Sequence, residues 1–172
     1  MAHHQLILGG ARSGKSRLGE QRALELADSA PVYVATATAL DDEMAARIER
    51  HRHDRDGSQW RVVEEPLDLA SVVGSLTADD VALIDCLTLW LTNCLTNQCW
   101  PTRRAEFLRA LTESPATILM VSNEVGLGVI PMGELTRGFV DESGRLHQDL
   151  AEHCDEVTLT IAGLPHRLKP ND

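Results

Sequence analysis

The chain has 172 residues, 43% of them apolar, which is enough to bury a substantial core and reads as one globular domain over residues 1–172. Its formal net charge of −10 argues against general nucleic-acid binding, while leaving open small phosphate ligands held by local features. No apolar run reaches the ~18 residues of a membrane span, and an apolar stretch begins so near the first residue that a signal peptide has no room, so the expected location is cytoplasmic.

Gln5 to Leu8 is a short apolar run that predicts a buried strand. Arg17 to Ala27 then predicts a helix, with Leu18, Ala23, Leu24 and Ala27 as its apolar positions. Pro31 to Ala37 is rich in β-formers. Asp41 to Arg55 predicts a helix, with Asp41 or Asp42 as N-cap and Glu43 in the first turn. Arg61 to Glu64 reads as a short strand and Leu67 to Leu76 as a helix. Val81 to Asp85 is an apolar run ending in a carboxylate, the pattern of a strand buried on both faces. Thr88 to Asn97 and Thr102 to Thr112 predict helices separated by Pro101. Thr117 to Ser122 predicts another buried strand, Gly144 to His153 a helix, and Val157 to Ala162 a final strand. Strands alternating with helices imply a mostly parallel sheet with helices on both faces, a three-layer α/β fold whose ligands bind at the C-terminal strand ends.

Between the first strand and the first helix stands Gly9-Gly10-Ala11-Arg12-Ser13-Gly14-Lys15-Ser16, which fills every fixed position of the phosphate-loop pattern G-x-x-x-x-G-K-[ST]. Glycines let the backbone turn and aim N–H groups at phosphate oxygens, and the helix start adds its partial positive charge. Lys15 is expected on the β- and γ-phosphates and Ser16 on Mg²⁺. Lys15 is one of only two lysines in the chain, the other being Lys169 in a proline-flanked tail. Asp85 ends its strand as the second acidic element of nucleotide-binding domains does, where it holds the metal directly or through water; a cap for the following helix is the other reading.

Helical spacing puts Arg47, His51 and Arg55 on one face. A charge run of this kind reads first as a solvated face. The alternative is a site for attack on phosphorus, with guanidiniums holding a phosphate beside an imidazole that neighbouring positive charge keeps neutral. Asn123 to Gly128 follows a predicted strand, so Glu124 falls on the ligand edge as a candidate base or second metal ligand, or the glycines only make a turn. Asp141 to Gly144 fits the D-x-x-G of regulatory GTPases without the apolar strand that should precede it, and the guanine-reading Asn-Lys-x-Asp is absent. The cysteines Cys86, Cys94, Cys99 and Cys154 have neither C-x-x-C nor zinc-site spacing, so neither a zinc site nor a structural disulfide is expected.

Several stretches together resemble one family, the bifunctional adenosylcobinamide kinase / adenosylcobinamide-phosphate guanylyltransferase of cobalamin biosynthesis. They are the loop from Gly9 to Ser16, Ala35-Thr36-Ala37, Asp41 to Ile48 with His51, Trp60-Arg61 with Glu64, and Asp85 to Thr88. Ser122 to Gly126, Pro131, Arg137, Phe139, Asp141 and Gly144 complete the set, in the family's order over nearly the whole chain. The resemblance implies a single-domain P-loop NTPase-like fold and two reactions. A nucleoside triphosphate, ATP or GTP, phosphorylates adenosylcobinamide; GTP then transfers GMP to adenosylcobinamide phosphate through a covalent guanylyl-histidine, which falls on His51. It also implies that Gly9 to Ser16, Ala35 to Ala37, Arg52, His53, Asp54, Arg55, Glu64 and Asp85 contact nucleotide or metal, and that the chain forms a homo-oligomer, as trimeric relatives do. His147-Gln148 departs from the Asn-Gln common in the family. Two competing readings remain: a phosphate-loop kinase for another metabolite without guanylyl transfer, and a nucleotide-dependent binding or switch module.

Overall fold

The computed structural model describes residues 2–38, 42, 45, 46, 49, 53 and 59–171. Among them, seven strands form one sheet in the order β3-β2-β4-β5-β1-β6-β7. In chain order the elements are β1 (His4–Gly9), α1 (Lys15–Leu26), β2 (Val32–Ala35), β3 (Arg61–Glu64), α2 (Leu69–Gly74) and β4 (Val81–Asp85). They continue with α3 (Leu87–Thr96), α4 (Trp100–Glu113), β5 (Thr117–Asn123), α5 (Glu134–His153), β6 (Glu156–Ile161) and β7 (Leu164–Lys169).

The strands are apolar at consecutive positions because both faces of the sheet are covered. The period of two divides them. Leu6 and Leu8 of β1 join Val34, Ile84, Trp90, Phe107, Ile118, Met120, Leu146 and Leu150 on one face, packed by α2 to α5. Ile7 joins Tyr33, Leu83, Leu119 and Val121 on the other, where Ala23 of α1 packs. Gly19 brings α1 down onto this second face. A Cβ there would sit 3.0 Å from both Leu83 Cδ1 and Val121 Cγ2, so the helix lies flush across β4 and β5.

Strand pairing is parallel from β3 through β6 and antiparallel only between β6 and β7. The C-terminal residues of the first five strands, Gly9, Ala35, Glu64, Asp85 and Asn123, therefore all fall on one edge of the sheet.

Element boundaries move by one or two residues from the sequence expectation, with three larger differences. Pro101 does not separate helices; it occupies the first turn of α4, where its missing N–H costs nothing. The helix expected from Gly144 begins ten residues earlier, at Glu134, so Asp141 to Gly144 lies inside α5 and makes no switch loop. The proline-flanked tail is strand β7, folded back on β6 through Ala162 and Gly163, both at positive φ (53° and 78°). Pro165 is tolerated because β7 is the edge strand. Of the helix expected over 41–55, Asp42, Ala45, Ala46, Glu49 and His53 are helical and exposed. Asp41, Glu43, Arg47, His51, Arg52, Asp54 and Arg55 lie outside the described residues.

Candidate functional site

β1 ends at Gly9, and the chain turns through Gly10 to Gly14 into the first turn of α1. Two residues of the turn are left-handed, Arg12 at φ 54° and Gly14 at φ 93°. At Gly14 the left-handed φ favours glycine, and a Cβ would also make a tight 3.2 Å approach to Gly163 Cα. At Gly9 the need is space: a Cβ would lie 2.3 Å from Ser13 Oγ and 2.8 Å from the Thr160 carbonyl. The β6–β7 turn supports the loop from behind, since the Gly163 N–H donates to the Ser13 carbonyl at 2.8 Å. The loop is therefore held by β1, by its own turn and by a hairpin from the far end of the chain.

Lys15 opens α1 and is largely buried. Its ammonium donates to the Gly10 carbonyl at 3.0 Å, which folds the side chain across the loop it belongs to. Ser16 follows in the same turn, half-buried. Gly10, Ala11 and Arg12 are exposed, so the outer half of the loop opens to solvent.

Two strands over, Asp85 ends β4 with its carboxylate oriented by Tyr33, whose hydroxyl donates to Oδ2 at 2.8 Å. Tyr33 is the only tyrosine in the chain, on the neighbouring strand β2, and this role was not foreseen from the sequence. A lone phenol inside an otherwise aliphatic strand was the available signal.

Thr36, fully buried just past β2, accepts from the Cys86 N–H at 3.0 Å and donates to the Cys86 carbonyl at 2.7 Å. Its carbonyl accepts from the Asn93 side-chain amide at 2.8 Å. The Thr36 side chain thus ties β2 to the β4–α3 junction, and the half-buried Ala35 and Ala37 flank it at the strand edge. Ala35 is in register with both Asp85 and Glu64, which places exposed Glu64 at the tip of β3.

β5 contributes a second polar cluster on this edge. The Glu124 N–H donates to the Gly9 carbonyl at 3.0 Å, tying the end of β5 directly to the phosphate loop. The Glu124 carboxylate accepts from the Gly126 N–H, shaping the turn that follows. The Asn123 N–H donates to Thr88 Oγ1 at 2.8 Å. Thr88 Oγ1 lies 3.5 Å from Ser122 Oγ, which is 2.7 Å from His147 Nε2. His147, on α5, is buried, and burial pushes its imidazole pKa below the ordinary value against the opposing pull of the Glu124 charge. The folded state thus favours neutral His147. Its contribution to stability is present above the unfolded-state pKa and is lost as pH falls toward the depressed folded value.

The sheet edge gathers Gly9 to Ser16, Ala35 to Ala37, Glu64, Asp85 and Glu124. His53 is helical and exposed, while Arg52, Asp54, Arg55 and His51 lie outside the described residues. A loop lysine, a run of backbone N–H groups, a helix start and an oriented carboxylate are suited to holding polyphosphate with a divalent cation.

Residues 5–168 match the family described as cobinamide kinase / cobinamide phosphate guanyltransferase. The chain is 54% identical over 168 residues to the bifunctional adenosylcobalamin biosynthesis protein CobP of Pseudomonas aeruginosa, covering 95% of this chain and 96% of that one. It is 38% identical over 181 residues to the bifunctional adenosylcobalamin biosynthesis protein CobU of Escherichia coli, covering 95% and 98%. In fold it is similar to a prototypical ATPase from a bacterial type III secretion system, with a TM-score of 0.54 at 10% identity, covering 96% of this chain and 56% of that chain. A second solved ATPase domain gives a TM-score of 0.51 at 11% identity, over 91% and 68%. The two solved structures share the fold, and the sequence relatives match over nearly the whole length: the chain belongs to the cobinamide kinase / cobinamide phosphate guanyltransferase family.

Proposed function

We propose that this chain carries out two successive reactions on one corrinoid substrate. A nucleoside triphosphate phosphorylates the hydroxyl of the aminopropanol arm of adenosylcobinamide. GTP then transfers GMP to that phosphate, giving adenosyl-GDP-cobinamide and pyrophosphate. The observation that carries the reading is the phosphate loop, built around Lys15 and tied to β5 at Gly9, in a chain of this family.

In the first reaction the loop amides and Lys15 hold the β- and γ-phosphates. The corrinoid hydroxyl oxygen bonds to the γ-phosphorus, the bond to the β–γ bridging oxygen breaks, nucleoside diphosphate leaves and the hydroxyl proton is released. Such a transfer needs positioning and charge neutralisation more than covalent help from the protein. In the second, a ring nitrogen of His51 attacks the α-phosphorus of GTP. A P–N bond forms, the bond from the α-phosphorus to the bridging oxygen breaks, and pyrophosphate departs with its charge held by Lys15 and the loop. An oxygen of the corrinoid phosphate then attacks the same phosphorus, the P–N bond breaks, and histidine is released neutral. Arg52, His53, Asp54, Arg55, Glu64 and Ala35 to Ala37 are proposed to contact the nucleotide.

Ser16 and Asp85 offer only oxygen donors, a set that fits a hard cation, and Tyr33 orients the Asp85 carboxylate. They would hold Mg²⁺, which when bound neutralises charge on the phosphate oxygens. A homotrimer is part of the proposal. The trimeric count rests on the family resemblance; the run after β5, where Leu127, Val129, Ile130, Met132 and Leu135 are each at least 77% exposed, supports only that a subunit contact is made.

The test is a mass-spectrometric product assay with adenosylcobinamide, ATP, GTP and Mg²⁺. The expected products are cobinamide phosphate first and GDP-cobinamide after it. Phosphorylation without guanylyl transfer would leave a kinase alone, and nucleotide binding without either product would leave a binding module.

A further inference from the structure

The four polar groups of His147, Ser122, Thr88 and Asn123 come from α5, β5 and the first turn of α3, and they end on the strand tip that is hydrogen-bonded to the phosphate loop. The reactions above need none of them as acid, base or nucleophile. They nevertheless form a continuous chain of neighbouring polar groups. The Asn123 backbone N–H can only donate, so Thr88 Oγ1 accepts from it at 2.8 Å. Thr88 Oγ1 lies 3.5 Å from Ser122 Oγ, and Ser122 Oγ is hydrogen-bonded to His147 Nε2 at 2.7 Å. A hydroxyl can donate and accept at once, so Thr88 and Ser122 can each serve both of their neighbours. His147 and Ser122 are both buried, so water does not substitute for a missing member without a cavity opening. One residue past Asn123, the Glu124 N–H holds the Gly9 carbonyl, at the junction between β1 and the loop.

We propose that His147 is a positioning residue for the phosphate loop: through the Ser122 and Thr88 hydroxyls it fixes the backbone at Asn123 and Glu124, and through the Glu124–Gly9 hydrogen bond it sets where the loop presents its N–H groups to the transferring phosphate. The proposal rests on the kinase reading for its kinetic consequence, and on geometry alone for its structural one.

Three variants test it. His147→Leu removes the hydrogen-bonding ring nitrogen at similar bulk. Ser122→Ala breaks the chain one link away with almost no change in volume. His147→Gln returns a group able to donate or accept at a reach close to Nε2. Misplacement of a reacting group by about 1 Å can cost ~100-fold in rate, so His147→Leu and Ser122→Ala are expected to lower kcat of the cobinamide kinase step by roughly 10- to 100-fold. Their nucleotide KM is expected to stay within about twofold, because the loop still binds polyphosphate but presents it poorly. His147→Gln is expected to recover most of the lost kcat. Amide hydrogen exchange of the nucleotide-free protein supplies the second readout. Protection of the segment containing Asn123 and Glu124 is expected to fall in the His147→Leu and Ser122→Ala variants and to return in His147→Gln.

Unchanged exchange at Asn123 and Glu124 in both disrupting variants overturns the proposal, whatever the catalytic activity. So does a kcat within about twofold of the parent, or a His147→Gln variant no better than His147→Leu. If the parent protein does not act on cobinamide at all, the kinase reading fails on that observation alone, and the exchange experiment still decides the positioning role. Should His147→Leu fail to fold, Ser122→Ala and His147→Gln carry the test.

Discussion

Replacing Lys15 with alanine is expected to lower transfer to cobinamide by about a thousandfold, the upper range seen when a single preorganised charge donor is removed from a reacting centre. The structure gives the reason. Lys15 sits at the first residue of α1, largely buried, with its ammonium held over the loop by the Gly10 carbonyl at 3.0 Å. A charge held in that place costs little to reorganise when negative charge develops on the transferring or leaving phosphate. Most of what holds the loop's shape lies elsewhere. That shape is set by the left-handed residues Arg12 and Gly14, the close fit at Gly9, and the Gly163–Ser13 hydrogen bond. Lys15→Ala is therefore expected to keep the parent's melting temperature within a few degrees while losing turnover. Arginine is expected to rescue poorly, because its planar fork does not replace a compact ammonium reaching the phosphates from the loop. Parallel product assays and thermal melts check both halves. A Lys15→Ala protein that retains more than about a tenth of parental turnover contradicts the assignment.

The largest expected loss of stability lies on the other side of the sheet. Trp90 of α3 is fully buried, edge-on to Trp100 at 5.2 Å between ring centroids and to Phe107 at 4.9 Å. Its indole N–H donates to the Leu67 carbonyl at 2.9 Å. Truncation to alanine opens a cavity among α3, α4 and the sheet, removes two aromatic contacts and leaves the Leu67 carbonyl without that donor. The expected cost is about 3–5 kcal/mol, read as a lowered midpoint in urea unfolding. Trp90→Phe keeps an aromatic ring in the cluster and loses the hydrogen bond, so it is expected to cost less, about 1–2 kcal/mol. Comparable stability of the two variants would show that the lost N–H, and not the cavity, decides this position.

The order of strands and helices was legible from the sequence where periodicity was strong. Consecutive apolar runs at Gln5–Leu8, Val81–Asp85 and Thr117–Ser122 become central strands β1, β4 and β5 because covering both faces demands such runs. The phosphate loop was legible because its backbone leaves little freedom: Gly9 stands where a Cβ has no room, and Gly14 is left-handed. Less was legible where tertiary packing overrode local preference. The start of α5 carries Gly133 at its cap and Gly138 within it and exposes Leu135, so its helical periodicity is weak before Gly144. β7 contains Pro165 and lies outermost, so its alternation of Leu164, His166 and Leu168 was masked by a residue that usually marks a break. At the site, Asp85 was legible as a strand-ending carboxylate, but Tyr33 was not, since its role comes from the β2–β4 register and not from any motif. The same holds for His147. Nothing local links it to Ser122, 25 residues away, until α5 packs against the strand.

The guanylyl-histidine route is tested most directly by covalent labelling with GTP radiolabelled at the α-phosphate, in Mg²⁺, followed by denaturation and treatment with acid or base. The parent and His51→Ala are run together, with His53→Ala alongside. The parent is expected to carry a label that is lost in acid and survives base, as a phosphoramidate does, and His51→Ala is expected to carry none. Unlabelled cobinamide phosphate is expected to discharge the label into GDP-cobinamide. Absence of label on the parent, or a label that persists in His51→Ala and vanishes in His53→Ala, would contradict transfer through His51.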